Sequence, residues 1–430
     1  MDIGINPGRR PYYEDANTLV YQGDCRDVIA GMPDGTIDAV VTDPPYGLEF
    51  MGEHWDAPWR ESAESAGTGR GSGLAFQRWC ESWLVECLRV LKPGGYLVAF
   101  GGTRTWHRLT AAAEDTGFEI RDSIAWLTGQ GFPKSVRLTS DSRFCQCGTT
   151  KLDSGGICPA CGKPVVDGLG TALKPAFEPI VVARKPMVGS TGDNVLSHGT
   201  GAMNIDGCRI EAGKEYRDKC ASVVGLSSNR TGAVFGEWTG VRTDSGHDAG
   251  RWPTNVALSH MPLLDAHDGT VIGDACANGC VADCPVAQLD ATNRVRSQGH
   301  SPRCRSGLGY GSTSLGTVSA ESKFGRGGVS RYFPSFRYES KAPASERPTV
   351  AGVQHRTVKP LALMRWLVRL CAPSGAVVLD PFAGSGTTAE ACLREYKCCI
   401  AIEREVVYLP LIAHRLTRPI EMEFDFGTSA

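Results

Sequence analysis

Apolar runs of strand length alternate, in the first hundred residues, with a segment whose apolar positions recur at helical spacing. The runs NTLVYQGD at 17–24 and IDAVVTD at 37–43 predict two buried strands. Apolar residues between 76 and 92 follow one helix face, and YLVAFGG at 96–102 predicts the next strand after a Lys-Pro-Gly-Gly turn. This alternation predicts an α/β fold with a mostly parallel, helix-covered sheet.

The same alternation continues on both sides of a long middle region. A predicted helix over 104–115 leads into FEIRDSIAWLTG at 118–129, whose partial alternation predicts a strand at a sheet edge. Near the other end, KPLALMRWLVRLC at 359–371 predicts a helix. The runs AVVLD at 376–380 and CCIAIE at 398–403 predict two strands, and the helix expected between them completes a βαβ unit.

The middle region differs in composition. From 136 to 350 it is rich in Gly, Ser, Thr and paired cysteines, with short apolar runs at 177–183 and 255–260. The chain contains 52 glycines and 25 prolines, which favours long loops. We therefore predict a large insertion at 136–350 that divides one α/β body into parts at 1–135 and 351–430.

Charge and cysteine content narrow the class of protein. The net charge of −2 indicates no global attraction to nucleic acid, so any basic surface must be local. No apolar run approaches the ~18 residues that span a bilayer, and the start MDIGINPGRR lacks the apolar core of a secretory signal. We therefore expect a cytoplasmic protein, whose 17 cysteines act as reduced thiols and metal ligands rather than as disulfides.

Asp43-Pro44-Pro45-Tyr46 directly follows a predicted strand, where α/β folds place their ligands. The two prolines supply no N–H, so backbone carbonyls and the Asp carboxylate form a set of acceptors beside an aromatic ring. The exocyclic amine of a nucleobase offers two N–H donors and a stacking face. The motif therefore predicts a site for such an amine, the alternative being a Pro-rich turn.

A second motif, Asp380-Pro381-Phe382-Ala383-Gly384-Ser385-Gly386-Thr387-Thr388, lies between a predicted strand and a predicted helix. Its glycines allow a cofactor to approach the backbone. It differs from GxGxxG and lacks the Gly-Lys-Ser/Thr ending of a P-loop, which disfavours pyrophosphate binding and ATP hydrolysis. Glu403 ends the next strand about 20 residues further on, the position of an acid that binds ribose hydroxyls.

Together, DPPY and FAGSGT resemble the signature motifs of amino-group DNA methyltransferases, which use S-adenosylmethionine. The resemblance implies a Rossmann-like sheet in which the FAGSGT loop binds the methionine part of the cofactor and the strand-end acid binds its ribose. The catalytic residues it implies are Asp43, Pro44, Pro45 and Tyr46. The cofactor-binding residues it implies are Asp380, Phe382, Gly384, Gly386, Thr387 and Glu403.

The order of the two motifs, DPPY first, resembles the circularly permuted beta class of that family. In that arrangement Asp24 follows the strand after the one that ends at Glu403, so it is expected to face the adenine of the cofactor. Lys359, in HRTVKP, or the helix N-terminus after it, is expected to meet the methionine carboxylate. A helix-capping role remains the alternative. KPAFEPIVVARKP, MNIDGCRI and RWPTNVALSH also resemble family segments, so the resemblance extends over most of the chain.

The paired cysteines predict zinc sites inside the insertion. Two pairs spaced as zinc knuckles are expected to close a four-cysteine ribbon: Cys145, Cys147, Cys158 and Cys161. A second group, Cys276, Cys280 and Cys284, needs a fourth donor, for which His260 and His267 are the candidates. The alternatives are reduced thiols without metal or, for the second group, a helical turn that carries buried cysteines.

A local basic excess lies in the same insertion. Between 291 and 347 there are ten Lys or Arg residues against three acids, interspersed with Tyr332, Phe333, Phe336 and Tyr338. This composition suits a surface that contacts DNA phosphates and bases, the alternative being a solvated loop. We therefore expect the insertion to recognise double-stranded DNA.

The sequence predicts a site-specific DNA methyltransferase, with N6 of adenine as the target. In the resembled family, Asp as the first motif residue favours adenine and Ser favours cytosine, so N4-cytosine is the alternative. A C5-cytosine enzyme is disfavoured because the chain has no Pro-Cys dipeptide. A homodimer and a cognate restriction endonuclease are further partners that the sequence leaves open.

Three other classes of protein remain as competitors. RNA or protein-glutamine methyltransferases begin the similar motif with Asn and place the cofactor loop before it. A non-catalytic DNA-binding protein on a decayed methyltransferase fold would bind the cofactor poorly. An NAD-dependent oxidoreductase would need a GxGxxG loop, which the sequence does not contain.

Overall fold

The computed structural model describes residues 9–48, 56, 72–128, 142–147, 156–158, 160–165, 169–173, 175–212, 214–222, 224, 227–230, 238–241, 247, 249–260, 262–264, 271–274, 276, 280–281, 284–291, 329–336, 348–355 and 357–418. The strands are β1 (Tyr13–Glu14), β2 (Thr18–Gln22), β3 (Ile37–Thr42), β4 (Leu91–Phe100), β5 (Glu119–Leu127), β6 (Phe177–Arg184), β7 (Ser227–Arg230), β8 (Trp238–Val241), β9 (Val256–Ser259), β10 (Pro262–Leu264), β11 (Val271–Asp274), β12 (Ser335–Phe336), β13 (Val377–Asp380) and β14 (Cys398–Glu403). The helices are α1 (Cys25–Ile29), α2 (Ser72–Val90), α3 (Trp106–Asp115), α4 (Thr191–His198), α5 (Lys214–Ala221), α6 (Pro285–Ala291), α7 (Leu361–Cys371), α8 (Thr387–Arg394) and α9 (Leu409–Leu416).

One ten-stranded sheet organises the described chain, in the order β1-β2-β14-β13-β3-β4-β6-β5-β9-β12. The strands from β2 to β4 in this order are parallel, as are β5, β9 and β12. Strand β6 runs antiparallel to both β4 and β5. The sheet is therefore mixed, with a parallel half that brings five adjacent strand ends to one edge.

Helices cover both faces of the sheet, because side chains of the buried strands alternate between two cores. In β4, Leu97 and Ala99 pack in the core that includes α1, α2 and α3. Tyr96, Val98 and Phe100 pack in the opposite core with α7, α8 and α9. The predicted α/β class is confirmed, with the sheet as the middle of three layers.

Two local expectations were wrong. The Lys-Pro-Gly-Gly segment at 92–95 is not a turn between elements but part of β4, whose pairing with β3 shifts in register there. Gly94, at φ 78°, absorbs the irregularity. Strand β5 is not a sheet edge either, since β6 and β9 flank it.

Three strands of the sheet, β6, β9 and β12, come from the region predicted as an insertion. Their apolar runs are short, but each pairs with a strand that the chain reaches much earlier or later. Part of the predicted insertion therefore belongs to the main sheet. The remainder of 136–350 includes two hairpins, β7–β8 and β10–β11, and a division into domains stays a prediction. Within the described residues, no helix has the length and apolar character needed to cross a membrane.

Candidate active site

Four acids lie at the carboxyl ends of adjacent parallel strands. Asp43 follows β3, Asp380 ends β13, Glu403 ends β14, and Asp24 follows β2. Parallel pairing places these ends at one edge of the sheet, where Thr42 donates a hydrogen bond to Asp380 across 2.7 Å. The edge thus unites the two motifs, which lie more than 300 residues apart in sequence.

The two carboxylate oxygens of Asp43 differ in their hydrogen bonding. Its Oδ2 accepts a hydrogen bond from Nζ of Lys359 at 2.6 Å, an ion pair in which the lysine side chain is about nine-tenths buried. Its Oδ1 is buried and makes no hydrogen bond to any described residue. The first oxygen is therefore held by the chain, whereas the second is an acceptor that a ligand could satisfy.

Tyr46 is held by Glu178 of β6, which the sequence did not reveal. The Tyr46 hydroxyl donates to Glu178 Oε2 at 2.8 Å, and Lys359 Nζ lies 3.5 Å from the same oxygen. Burial, together with the negative charges of Asp43 and Glu178, raises the pKa of Tyr46 well above its usual value, so the hydroxyl stays protonated. The ammonium of Lys359 also lies 5.2 Å from the Tyr46 ring centroid and 4.9 Å from that of Phe100.

A second missed residue, Asp56, fixes the loop that follows the DPPY motif. Its carboxylate accepts hydrogen bonds from the backbone N–H groups of Tyr46, Gly47 and Leu48, at 2.7, 3.1 and 3.1 Å. The Thr105 hydroxyl donates to the carbonyl of Tyr46 from the other side. Nothing in the local pattern distinguishes Asp56 from other acids, because its role depends on a loop closing back on itself.

The FAGSGT loop is shaped by two glycines and one buried acid. Gly384 and Gly386 adopt φ values of 53° and 83°, which disfavour other residues. Burial raises the pKa of Asp380 to about 6, although Thr388 and Thr42 hydrogen-bond to its charged form. Asp380 Oδ1 also accepts the N–H of Phe382 at 3.1 Å, which turns the chain out of β13.

The predicted loop residues Phe382 and Thr387 face protein in this structure. The Phe382 ring packs 5.2 Å from the ring of Trp83 and 5.7 Å from that of Trp79, both on α2. Thr387 is buried at the first position of α8. Their contacts position the loop, and their roles toward a cofactor stay proposals.

Glu403 links this loop to the next strand end. Its Oε2 accepts the N–H of Gly384 and its Oε1 that of Glu405, each at 2.7 Å. Burial raises the pKa of Glu403 to about 7 in spite of these donors. The predicted ribose-binding acid is thus buried under the glycine loop, and its pKa lies close to neutral pH.

His355 was missed as a neighbour of the same loop. An ideal Cβ at Gly384 would lie 3.1 Å from His355 Nε2, so the imidazole leaves no room for a side chain there. The ring also packs edge-on against Tyr408, at 4.5 Å between centroids. Burial lowers the pKa of His355 to about 4, so the ring is neutral. In the sequence, the HRTVKP segment indicated a role for Lys359 and none for His355.

Asp24 is already engaged within the chain. It caps α1 by accepting the N–H of Arg26 at 2.9 Å and pairs with the Arg26 guanidinium at 2.9 and 2.7 Å. These hydrogen bonds lower the pKa of Asp24. Its expected contact with adenine stays a proposal, whereas its capping role is a feature of the fold.

Both predicted cysteine groups converge in space. The ligand atoms of Cys145, Cys147, Cys158 and Cys161 all lie within 4.8 Å of one another, and so do those of His260, Cys276, Cys280 and Cys284. His260 immediately follows β9, and its Nδ1 lies 3.3 Å from Cys280 Sγ and 3.6 Å from Cys284 Sγ. His267, the other candidate, lies outside the described residues, as does most of the basic segment 291–347.

Two curated relatives share part of their length with this chain. The Type II methyltransferase M.HindIII of Haemophilus influenzae is 28% identical over 213 residues, 43% of this chain and 64% of that protein. The Type II methyltransferase M.BamHI of Bacillus amyloliquefaciens is 32% identical over 91 residues, 21% of this chain and 19% of that protein. The chain thus spans less than two thirds of either relative.

Solved structures of similar proteins align along most of the chain at low identity. The cytosine-N4-specific PvuII DNA methyltransferase covers 96% of this chain with 92% of its own, at 15% identity and a TM-score of 0.44. A protein described as a DNA modification methylase, from Thermus thermophilus and complexed with S-adenosyl-L-methionine, covers 92% of this chain with 91% of its own, at 17% identity and a TM-score of 0.38.

The family comparison extends over both motifs and the region between them. A family model described as DNA methylase matches residues 37–414. The match includes β3 with its DPPY loop and β13 with its glycine loop, the two elements that meet at the site. Because it covers most of the chain, this protein belongs to the DNA methylase family.

Proposed function

We propose that this protein is a site-specific DNA methyltransferase that transfers a methyl group from S-adenosylmethionine to N6 of adenine in double-stranded DNA. The observation that carries the proposal is Asp43, with Oδ2 bound by Lys359 and Oδ1 buried without a hydrogen bond from the described residues. A buried acceptor of this kind is costly unless a ligand supplies the donor. An exocyclic amino group has two N–H donors and would satisfy it.

The opposite side of the site fits the proposed cofactor. Glu403 is a buried carboxylate with lone pairs left for ribose hydroxyls, and it already orders the glycine loop through the N–H of Gly384. The positive φ values of Gly384 and Gly386 set the turn of this loop, and His355 and Ile412 close the space where their side chains would lie. We assign the remaining loop residues Asp380, Phe382 and Thr387 to fixing the shape of this loop from its protein side.

The chain's residues would hold the amino group for direct transfer. When bound, S-adenosylmethionine supplies an electrophilic methyl group on a sulfonium. Asp43 Oδ1 and the Pro44 carbonyl accept hydrogen bonds from the two N–H groups, which draws the nitrogen lone pair out of conjugation with the ring. That lone pair would form the N–C bond as the C–S bond to the departing thioether breaks, and the nitrogen would then release one N–H proton to solvent. The Tyr46 ring, fixed through its hydroxyl by Glu178, stacks on the base. Positioning of this kind supplies much of the rate.

A base inside a duplex cannot reach this edge, so the target nucleotide must flip out of the stack. We propose that the duplex docks on the part of 136–350 that lies outside the sheet, with the basic segment 291–347 contacting phosphates. Within the described residues, Arg331 lies 4.9 Å from the Tyr332 ring in that segment. The motif order supports a circularly permuted arrangement of the beta type.

Each cysteine group fits one structural zinc ion. Ligand atoms within 4.8 Å of one another suit a tetrahedral ion, for which Zn–S is about 2.3 Å. The donor sets, four thiolates and three thiolates with one imidazole, are ones that zinc prefers. The second site would attach β9, through His260, to the start of α6, through Cys284.

Adenine is proposed over cytosine because the first motif residue is Asp43 rather than Ser. Cytosine N4 would use the same acceptors, so it remains the second candidate. The Type II names of both curated relatives support a role in restriction–modification, with a cognate endonuclease as the partner of the system.

The test is mass spectrometry of nucleosides from unmethylated double-stranded DNA incubated with the protein and S-adenosylmethionine, with Asp43→Ala as control. We expect N6-methyladenine from the wild type and none from the variant. N4-methylcytosine would keep the mechanism and change the base. No methylated base, despite measured cofactor binding, would refute DNA methylation.

A further inference from the structure

Lys359 connects the two carboxylates of the catalytic edge. Its ammonium contacts Asp43 Oδ2 at 2.6 Å and lies 3.5 Å from Glu178 Oε2, while its side chain is only 11% exposed. Lys359 lies two positions before α7, in the C-terminal part of the chain. Its side chain reaches Asp43, which follows β3, and Glu178, which lies in β6. One buried cation therefore contacts two acids, both of which are far from it in sequence.

The charges around Lys359 disfavour the binding of a further anion to its ammonium. Asp43 and Glu178 carry two negative charges against one positive charge, and the neutral rings of Tyr46 and Phe100 enclose the ammonium. A cofactor carboxylate at Lys359 would add a third negative charge in a partly desolvated place. A sulfonium, by contrast, is a cation and suits the net negative charge of this cluster.

We infer that Lys359, held by Glu178, is a positioning residue for Asp43: it fixes Oδ2 so that Oδ1 faces the amino group to be methylated. The inference rests on the proposed function and replaces the expected contact of Lys359 with the methionine carboxylate. Glu178 acts in two ways, because the same Oε2 accepts the Tyr46 hydroxyl at 2.8 Å. Acceptor and stacking ring are thereby fixed relative to one another.

The geometry gives this role a physical basis. A carboxylate rotates freely about its Cβ–Cγ bond unless one oxygen is bound, and rotation would misplace Oδ1. A lysine is only a donor, so it occupies Oδ2 and leaves Oδ1 as the acceptor for the substrate amine. Loss of the lysine would therefore weaken the transfer step rather than the binding of cofactor.

The test compares Lys359→Met and Lys359→Arg with the matched control Lys92→Met. Lys92 pairs with Asp38 at the same 2.6 Å, away from the site. Single-turnover methyl transfer to DNA is measured from labelled S-adenosylmethionine at saturation, and cofactor Kd is measured separately by calorimetry.

For Lys359→Met we expect a transfer rate lower by about 100-fold or more, with the cofactor Kd changed less than about threefold. Lys359→Arg should recover part of the rate, and Lys92→Met should match the wild type.

A Lys359→Met defect that disappears at saturating cofactor, or a rate within threefold of the wild type, would overturn the inference and leave the proposed function intact. If the wild type itself methylates no DNA, the proposed function fails and the inference fails with it.

Discussion

Glu403 combines burial with titration near neutral pH. Its side chain is 8% exposed, and burial raises its pKa from 4.5 to about 7 in the folded protein. Between these values the folded state keeps a proton that the unfolded chain releases. The stability contributed by this group is therefore fully present below about pH 4.5 and is lost as pH rises through about 7.

We expect Glu403→Gln to remove this pH dependence. Between about pH 5 and about pH 8, the free energy of unfolding of the wild type should fall relative to the variant by about 1–3 kcal/mol. Chemical denaturation across this range measures the difference. The control Glu405→Gln, a change at a carboxylate 40% exposed, keeps the buried Glu403, so its free energy of unfolding should still fall over this range. Parallel stability curves for wild type and Glu403→Gln would contradict the prediction.

The residues that the sequence revealed share one property: they follow or end an apolar strand. Asp43, Asp380 and Glu403 stand out because chain order alone places them at strand ends. Glu178, Asp56 and His355 do not stand out, because each acts through a contact with a distant part of the chain. Glu178 lies near the start of a strand, a position that reaches the same edge only because β6 is antiparallel.

Among the elements, β9 links the second cysteine group to the active site. Ser259, its last residue, accepts a hydrogen bond from the Trp126 indole at 2.9 Å. The Trp126 ring packs edge-on against Phe100, which in turn faces Lys359. His260 follows directly and donates its N–H to Phe336 of β12 at 3.0 Å. A metal at His260 would therefore stabilise the outer strands next to Trp126 and Phe100.

We expect two zinc ions per chain in the purified protein, measured by inductively coupled plasma mass spectrometry. Cys147→Ser and Cys280→Ser should each lower the content to one, because each removes one of four donors. Cys398→Ser, outside both groups, should retain two. Of the two single-site variants, only Cys280→Ser should also increase hydrogen exchange in β9. Unchanged metal content in either of them would refute the corresponding site.

At the scale of the whole molecule, the sheet unites the two ends of the described chain. Thr42 bonds Asp380 across 338 positions, and Lys359 bonds Asp43 across 316. Strands β3 and β13 are direct neighbours, so the glycine loop and the DPPY motif lie side by side at one sheet edge. Neither part has a complete sheet without the other.

Cofactor should accordingly stabilise the described body as one unit. We expect a single cooperative unfolding transition whose midpoint temperature rises with S-adenosylmethionine. The free energy of unfolding should rise by about 2.7 kcal/mol when the cofactor is at 100 times its Kd. Differential scanning calorimetry with and without the cofactor measures this shift. Two separate transitions, of which only one responds to the cofactor, would show that the motifs lie in independent domains.

The sequence by itself determined the α/β class, the strand ends that carry chemistry, and the cysteine spacings, because periodicity and motifs act over short stretches of chain. Only the tertiary structure decided that β6, β9 and β12 join the main sheet, that β5 is internal, and that Lys359 pairs with Asp43. The reason is that strand pairing and buried ion pairs depend on partners remote in sequence. Local patterns do not indicate which remote segment supplies the partner.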